Sequence, residues 1–184
     1  KQDWRYTSSN VKANGPVFDQ DLEAGVNEQI NAELSAHYTY LSMSYHFDQD
    51  DHYMPGFSKF FKKMAEEEHE HAQMFMKYQN KRGGRIRFNS IPKPCHDGNW
   101  ENGTLAMKRA LHLEKTINKL LLNLHTLGDS KNEPQFLDFL EANFLGEQVD
   151  SIKELSNYVH ILQRLDSPLG EYQFDKLTLG GGKD

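Results

Sequence analysis

Four short strings, far apart in the chain, hold the residues best suited to bind a metal. They are Asn31-Ala32-Glu33-Leu34, Glu67-Glu68-His69-Glu70-His71, Leu113-Glu114-Lys115 and Gly146-Glu147-Gln148. Each lies in a stretch with helical periodicity, so four antiparallel helices can aim Glu33, Glu68, His71, Glu114 and Gln148 at one spot. Glu33 stands on an apolar stripe between Ile30 and Leu34, where a charge is costly unless paired or metal-bound. Glu68 and His71 are one turn apart, Glu114 follows Leu111 and Leu113, and Gln148 precedes Val149 and Ile152. Alone, each reads as a buried ion pair or a solvated helix face. One inward polar residue on each of four long helices is much harder to reach by chance.

Carboxylate oxygens with one imidazole suit ferrous iron and tolerate ferric iron, and no cysteine competes to favour zinc. Glu68 is the natural bridge. One iron would see Glu33, Glu68 and His71, and the other Glu68, Glu114 and Gln148. The second has no imidazole, because Ser151 stands three residues after Gln148. It should therefore be held more weakly, which favours turnover and export of a ferric product over a permanent cofactor. Tyr40, seven residues after Glu33, shares its face.

The elements that must position these residues read as follows. Residues 1–18 show no helical period and are expected to form an N-terminal arm. The domain is expected over 19–179, with a flexible glycine-rich tail at 180–184. A first helix starts near Asp19, whose side chain can cap it, and runs to about Gln49. A second runs from Pro55 to about Arg82 and stops at Gly83-Gly84. Residues 85–99 carry Pro92, Pro94 and Gly98 and form a long connection. A third helix is expected from Trp100 to Leu127, closed by Gly128, and a fourth from Glu133-Pro134 to about Leu165. Pro168 opens a short fifth helix reaching about Leu177. The fold class is all-α, a four-helix bundle with one long crossover and a short C-terminal helix, its main helices spanning about 40 Å each.

The 184 residues suffice for one domain with a full core. Charged content of 26% with 37% hydrophobic residues suits amphipathic helices. A net charge of -6 argues against nucleic acid as a partner, and no apolar run approaches the roughly 20 residues of a membrane span. Cys95 stands alone, so no disulfide forms within the chain. A lone cysteine fits the cytosol. A start at Lys1 and the glycosylation pattern Asn102-Gly103-Thr104 also fit a secreted protein, so both addresses stay open.

Five longer strings carry a resemblance: Ile30-Asn31-Ala32-Glu33-Leu34, Tyr40-Leu41-Ser42-Met43-Ser44-Tyr45, Gln79-Asn80-Lys81-Arg82-Gly83-Gly84-Arg85-Ile86, Ala110-Leu111-His112-Leu113-Glu114-Lys115 and Glu147-Gln148-Val149. Over about residues 18–180 the chain resembles a ferritin of the heavy, ferroxidase-bearing type. Ferritin-like di-iron proteins are themselves the standard example of a bundle with inward carboxylate ligands and one long crossover. The resemblance implies a shell of twenty-four subunits, built of this chain alone or mixed with other ferritin subunits. Ferrous iron would be oxidised by dioxygen at a transient di-iron centre, and the ferric product stored as a mineral core. Mapped by motif, the ferroxidase residues are Glu33, Tyr40, Glu67, Glu68, His71, Glu114 and Gln148, with Tyr40 placed to hydrogen-bond a ligand carboxylate.

The resemblance also implies a three-fold channel lined by His125, Asp138 and Glu141, where rings of carboxylates attract ferrous ions. It implies a mineral-nucleating cluster at Glu66, Glu67 and Glu70, weakened by the neutral Gln73. Leu169, Gln173 and Leu177 fall where a four-fold pore is lined and predict a largely apolar one. His37, one turn beyond Glu33, is a candidate for an extra transient iron site. Other histidines, His69 among them, read as surface or packing residues. The leading reading is an iron-storing ferroxidase, and the alternative is a secreted iron-transport ferritin with the same chemistry. A light-type structural subunit would lack Glu33, Glu68, His71 and Glu114. A stand-alone di-iron oxygenase would need a second Glu-x-x-His, which Gln148 and Ser151 do not supply.

Overall fold

A computed structural model describes residues 18–180. The expected arm at 1–17 and the end of the tail at 181–184 lie outside the described residues. The helices are α1 (Gln20–His46), α2 (Pro55–Lys81), α3 (Gly103–Ser130), α4 (Pro134–Leu140), α5 (Gly146–Leu165) and α6 (Pro168–Leu177). A π-helical turn, Glu141–Leu145, joins α4 to α5, so the two form one long fourth element. No strand occurs among the described residues.

Local chemistry sets the ends. The Asp19 carboxylate accepts from Asp21 N at 2.9 Å and Leu22 N at 3.3 Å, capping α1. Lys131 Nζ reaches Asp19 at 3.2 Å and Asp21 at 2.5 Å, tying the end of α3 to the start of α1. Gly83 adopts φ +75°, the left-handed stop that glycine accepts without strain, and Gly84 N donates to Gln79 O at 2.9 Å. The Ser167 hydroxyl caps α6 by accepting from Gly170 N at 3.0 Å.

Several boundaries differ from expectation. α1 stops at His46, short of Gln49, where Phe47 turns into the core. α3 begins after Trp100 because Asn102 caps it, accepting from Leu105 N at 2.9 Å. Glu171 of α6 adds a second cap, accepting from Thr104 N at 2.8 Å and from the Thr104 hydroxyl at 2.6 Å. Gly128 does not close α3, which runs on to Ser130. Its small size serves packing, since a Cβ there would lie 2.7 Å from Phe136. Phe18, expected in the arm, is buried against Tyr78 and Phe136 with the Arg82 guanidinium 4.5 Å above its ring. Arg82 in turn pairs with Glu133 at 2.7 Å.

The core is two apolar clusters. One gathers Tyr40, Met43, Phe47, Phe57, Phe61, Trp100, Met107, Leu162 and Phe174. The other gathers Leu22, Val26, Ile30, Phe75, Tyr78, Ile117, Leu121, Phe136 and Phe144. The sequence order of these residues gives the helix directions. α1 and the fourth element run from the second cluster to the first, whereas α2 and α3 run from the first to the second. The packed pairs α1–α2, α1–α3 and α3–α5 are therefore all antiparallel, while the α2–α3 crossover must travel the length of the bundle to join two parallel helices. Asn27 of α1 fastens it, donating to Arg85 O at 2.9 Å and accepting from Arg87 N at 2.9 Å.

Candidate metal centre

On each long element one buried polar residue marks the change from one apolar cluster to the other. They are Glu33 on α1, Glu68 on α2, Glu114 on α3 and Gln148 on α5, none more than 5% exposed. Together they form a polar waist inside the bundle. Glu33, Glu68 and His71 each offer a ligand atom within 4.8 Å of the others. His71 Nδ1 lies 3.4 Å from Glu68 Oε2. Gln29 Nε2 donates to Glu33 Oε1 at 2.7 Å, while Glu33 Oε2 is buried with no hydrogen-bond partner.

The other half is already hydrogen-bonded. The buried Tyr40 hydroxyl donates to Glu114 Oε1 at 2.5 Å. Gln148 Nε2 donates to Glu114 Oε2 and, at 3.0 Å, to the Glu114 carbonyl. A glutamine ligates a metal through its oxygen, so Gln148 would have to turn its amide to join a coordination sphere.

Burial and the negative charge of Glu68 push the Glu33 carboxyl well above the usual carboxylate range, with Gln29 and His71 pulling the other way. Burial and the Glu114 carboxylate push Glu68 up to about 8. Burial, then the charges of Glu114 and Glu68, push the Tyr40 hydroxyl well above its ordinary value. Three buried carboxylates so close together cannot all ionise without a compensating cation. An orphaned oxygen on Glu33 and an imidazole beside it supply oxygen and nitrogen donors for a hard or borderline divalent ion.

Of the residues expected at the centre, Glu33, Tyr40, Glu68, His71, Glu114 and Gln148 come together. Glu67 does not join the cluster; its half-exposed side chain pairs with Lys63 Nζ at 3.1 Å. Glu66 and Glu70 are exposed on the same helix. His125 Nε2 meets Glu141 Oε1 at 2.7 Å, and Asp138 is exposed beside them on the fourth element. Sequence reasoning missed two contacts. Gln29 lies four residues before Glu33, a spacing that could have revealed it. Glu147 Oε2 sits 3.3 Å from His71 Nε2, giving that imidazole a carboxylate on each nitrogen. Its neighbour Gln148 faces inward, so nothing in the local pattern marked Glu147.

Three glutamates and a glutamine, one from each of four long helical elements, gathered at a buried waist around one imidazole, define a metal-binding helical bundle. The Ferritin model, described as the Ferritin-like domain, matches residues 23–165. A soma ferritin of Lymnaea stagnalis is 56% identical over 162 residues, covering 88% of this chain and 92% of that protein. The chain belongs to the ferritin family, whose members bind and store iron. Among the described residues no helix is long and apolar enough to cross a membrane.

Proposed function

We propose that this chain is a ferroxidase-bearing ferritin subunit. It oxidises ferrous iron with dioxygen at a paired-iron centre and stores the ferric product as mineral inside a shell of twenty-four subunits. The observation that carries this reading is the unpartnered Glu33 oxygen beside Glu68 and His71, in a waist where the protein sets three carboxylates together. Iron is the substrate here. Each ferrous ion gives up one electron to dioxygen, and carboxylate ligands favour the ferric product by charge.

The residues divide the work. Glu68 lies between Glu33 and Glu114 electrostatically and is the bridging ligand. Glu33 and His71 complete one ion's sphere. Glu114 serves the other, with Tyr40 fixing its orientation and Gln148 offering its amide after rotation. Glu67, outside the cluster here, joins only by a side-chain movement. Glu147 beside His71 and the acidic Glu66, Glu67 and Glu70 lead away along α2 toward water, a path for ferric product and a seed for mineral. His125, Asp138 and Glu141 line iron entry. Leu169 and Leu177 on α6 are strongly exposed in the single chain, as expected for a face that lines an apolar four-fold pore.

The test is oxygen-dependent ferrous oxidation by the size-purified assembly, followed by absorbance over the first seconds. The reading expects a shell-sized particle with a fast phase that saturates near two irons per chain. A shell with only slow oxidation would reduce the chain to a structural subunit, and a small particle would remove the shell.

A further inference from the structure

A second pair of ligand-type side chains lies on the α1–α2 seam. The rings of His37 and His69 lie side by side across the seam, with centres 5.2 Å apart and planes tilted by 48°. His37 Nδ1 lies 2.7 Å from the carbonyl oxygen of Ala65. A carbonyl only accepts, so Nδ1 carries the proton and Nε2 is left with a bare lone pair. A backbone contact that fixes one ring nitrogen and frees the other is how proteins orient a metal-ligating histidine. Two imidazoles holding one ion at about 2.1 Å and a near-tetrahedral angle place their ring centres about 5 Å apart. His69 is exposed and His37 is half-buried, so an ion reaches them from water without entering the bundle.

We propose that His37 and His69 form a two-histidine site for a borderline divalent cation such as Cu2+ or Zn2+, distinct from the iron centre. Among the described residues no third histidine, cysteine or carboxylate gathers with the pair, so water completes the coordination. Two neutral nitrogen donors without a carboxylate prefer copper to ferrous iron, the reverse of the oxygen-rich waist. The chain would thus sort ions by donor type at two neighbouring places, with His69 directly after Glu68 and His37 one turn beyond Glu33. The proposal rests on neither the ferroxidase reading nor the shell.

The test adds one equivalent of Cu2+ per chain to the iron-free, fully assembled protein and counts coupled imidazoles by pulsed electron paramagnetic resonance. Two are expected in the unmutated protein and still two in His71→Ala. Fewer than two are expected in His37→Asn and in His69→Ala, with Cu2+ held about tenfold or more weakly. A single imidazole in the unmutated protein would overturn the site. So would a two-imidazole signal that survives His69→Ala or disappears in His71→Ala. His69 is exposed, so its variant decides the matter even if His37→Asn disturbs the helix seam.

Discussion

The two halves of the buried waist are built from similar residues and prepared differently. Around Glu33, Glu68 and His71 one carboxylate oxygen has no partner, and the imidazole stands beside the acid. Around Glu114 both carboxylate oxygens are already taken, one by the Tyr40 hydroxyl and one by the Gln148 amide. The first half is poised for a cation whose arrival satisfies an orphaned group. In the second half an ion must first displace or turn hydrogen bonds that already serve the fold. Under the proposed paired-iron reading, the difference teaches that such a site need not be symmetric to hold two ions. One position can capture firmly while the other gives up its ion readily, which suits a centre that passes its product on.

The strongest way to break the comparison is to remove what the halves share. Glu68→Ala is expected to slow rapid ferrous oxidation by about a hundredfold while leaving the assembly intact. Stopped-flow absorbance reads the rate, and an unmutated rate would show that Glu68 bridges nothing. The asymmetry itself is sharpened by a pair of variants. Anaerobic ferrous titration by calorimetry should find Glu33→Ala about tenfold or more weaker in its tighter site, and Gln148→Ala weaker by only about threefold in the looser one. The reverse order would mean that the hydrogen-bonded half is the firmer. A smaller effect is expected from Tyr40→Phe, which leaves Glu114 Oε1 without its donor. Initial oxidation should slow by about threefold to tenfold, with ferrous stoichiometry unchanged. A lost iron equivalent would instead make Tyr40 essential to binding.

Much of this waist was legible because burying a carboxylate among apolar residues breaks the helical pattern visibly. Glu33 interrupts the stripe from Leu22 to Tyr40, and Glu114 falls in a leucine-rich run. The cap at Asp19, the stop at Gly83 and the start at Pro168 were legible for the same local reason. What stayed hidden depends on residues distant in sequence. Asn102 reads as a glycosylation pattern, yet its side chain caps α3, and the Glu171 that reinforces it comes from α6. The π-helical turn carries no proline, and no glycine lies within it. Its trace is the spacing of Phe136, Leu140, Phe144 and Gln148, three steps of four residues. In a regular helix those steps rotate Gln148 about 120° away from the face of Phe136. One extra residue in a π turn absorbs most of that rotation and brings Gln148 to the waist. Only the demand that Gln148 face inward, which is a tertiary fact, makes that spacing meaningful.

The mildest effect concerns the metal-free protein. Glu68 titrates in the fold at about 8, pushed up by burial and by Glu114, whereas an exposed glutamate titrates near about 4.5. A carboxyl whose pKa is raised on folding binds its proton more tightly in the folded than in the unfolded state. Its contribution to stability is therefore complete below the unfolded value and is lost as pH rises through the folded one. Glu33, raised in the same direction, adds to the loss. The melting temperature of the iron-free protein should fall between about pH 4.5 and 8. Glu68→Gln, which cannot ionise, should flatten much of that slope, and a saturating divalent ion should reverse it by preferring the ionised carboxylates. Scanning calorimetry across this window, with and without the ion, checks all three. If the iron-free protein grew steadily more stable with pH, a cation-like partner for these carboxylates would already reside in the fold, and the contrast between the poised half and the satisfied half would disappear.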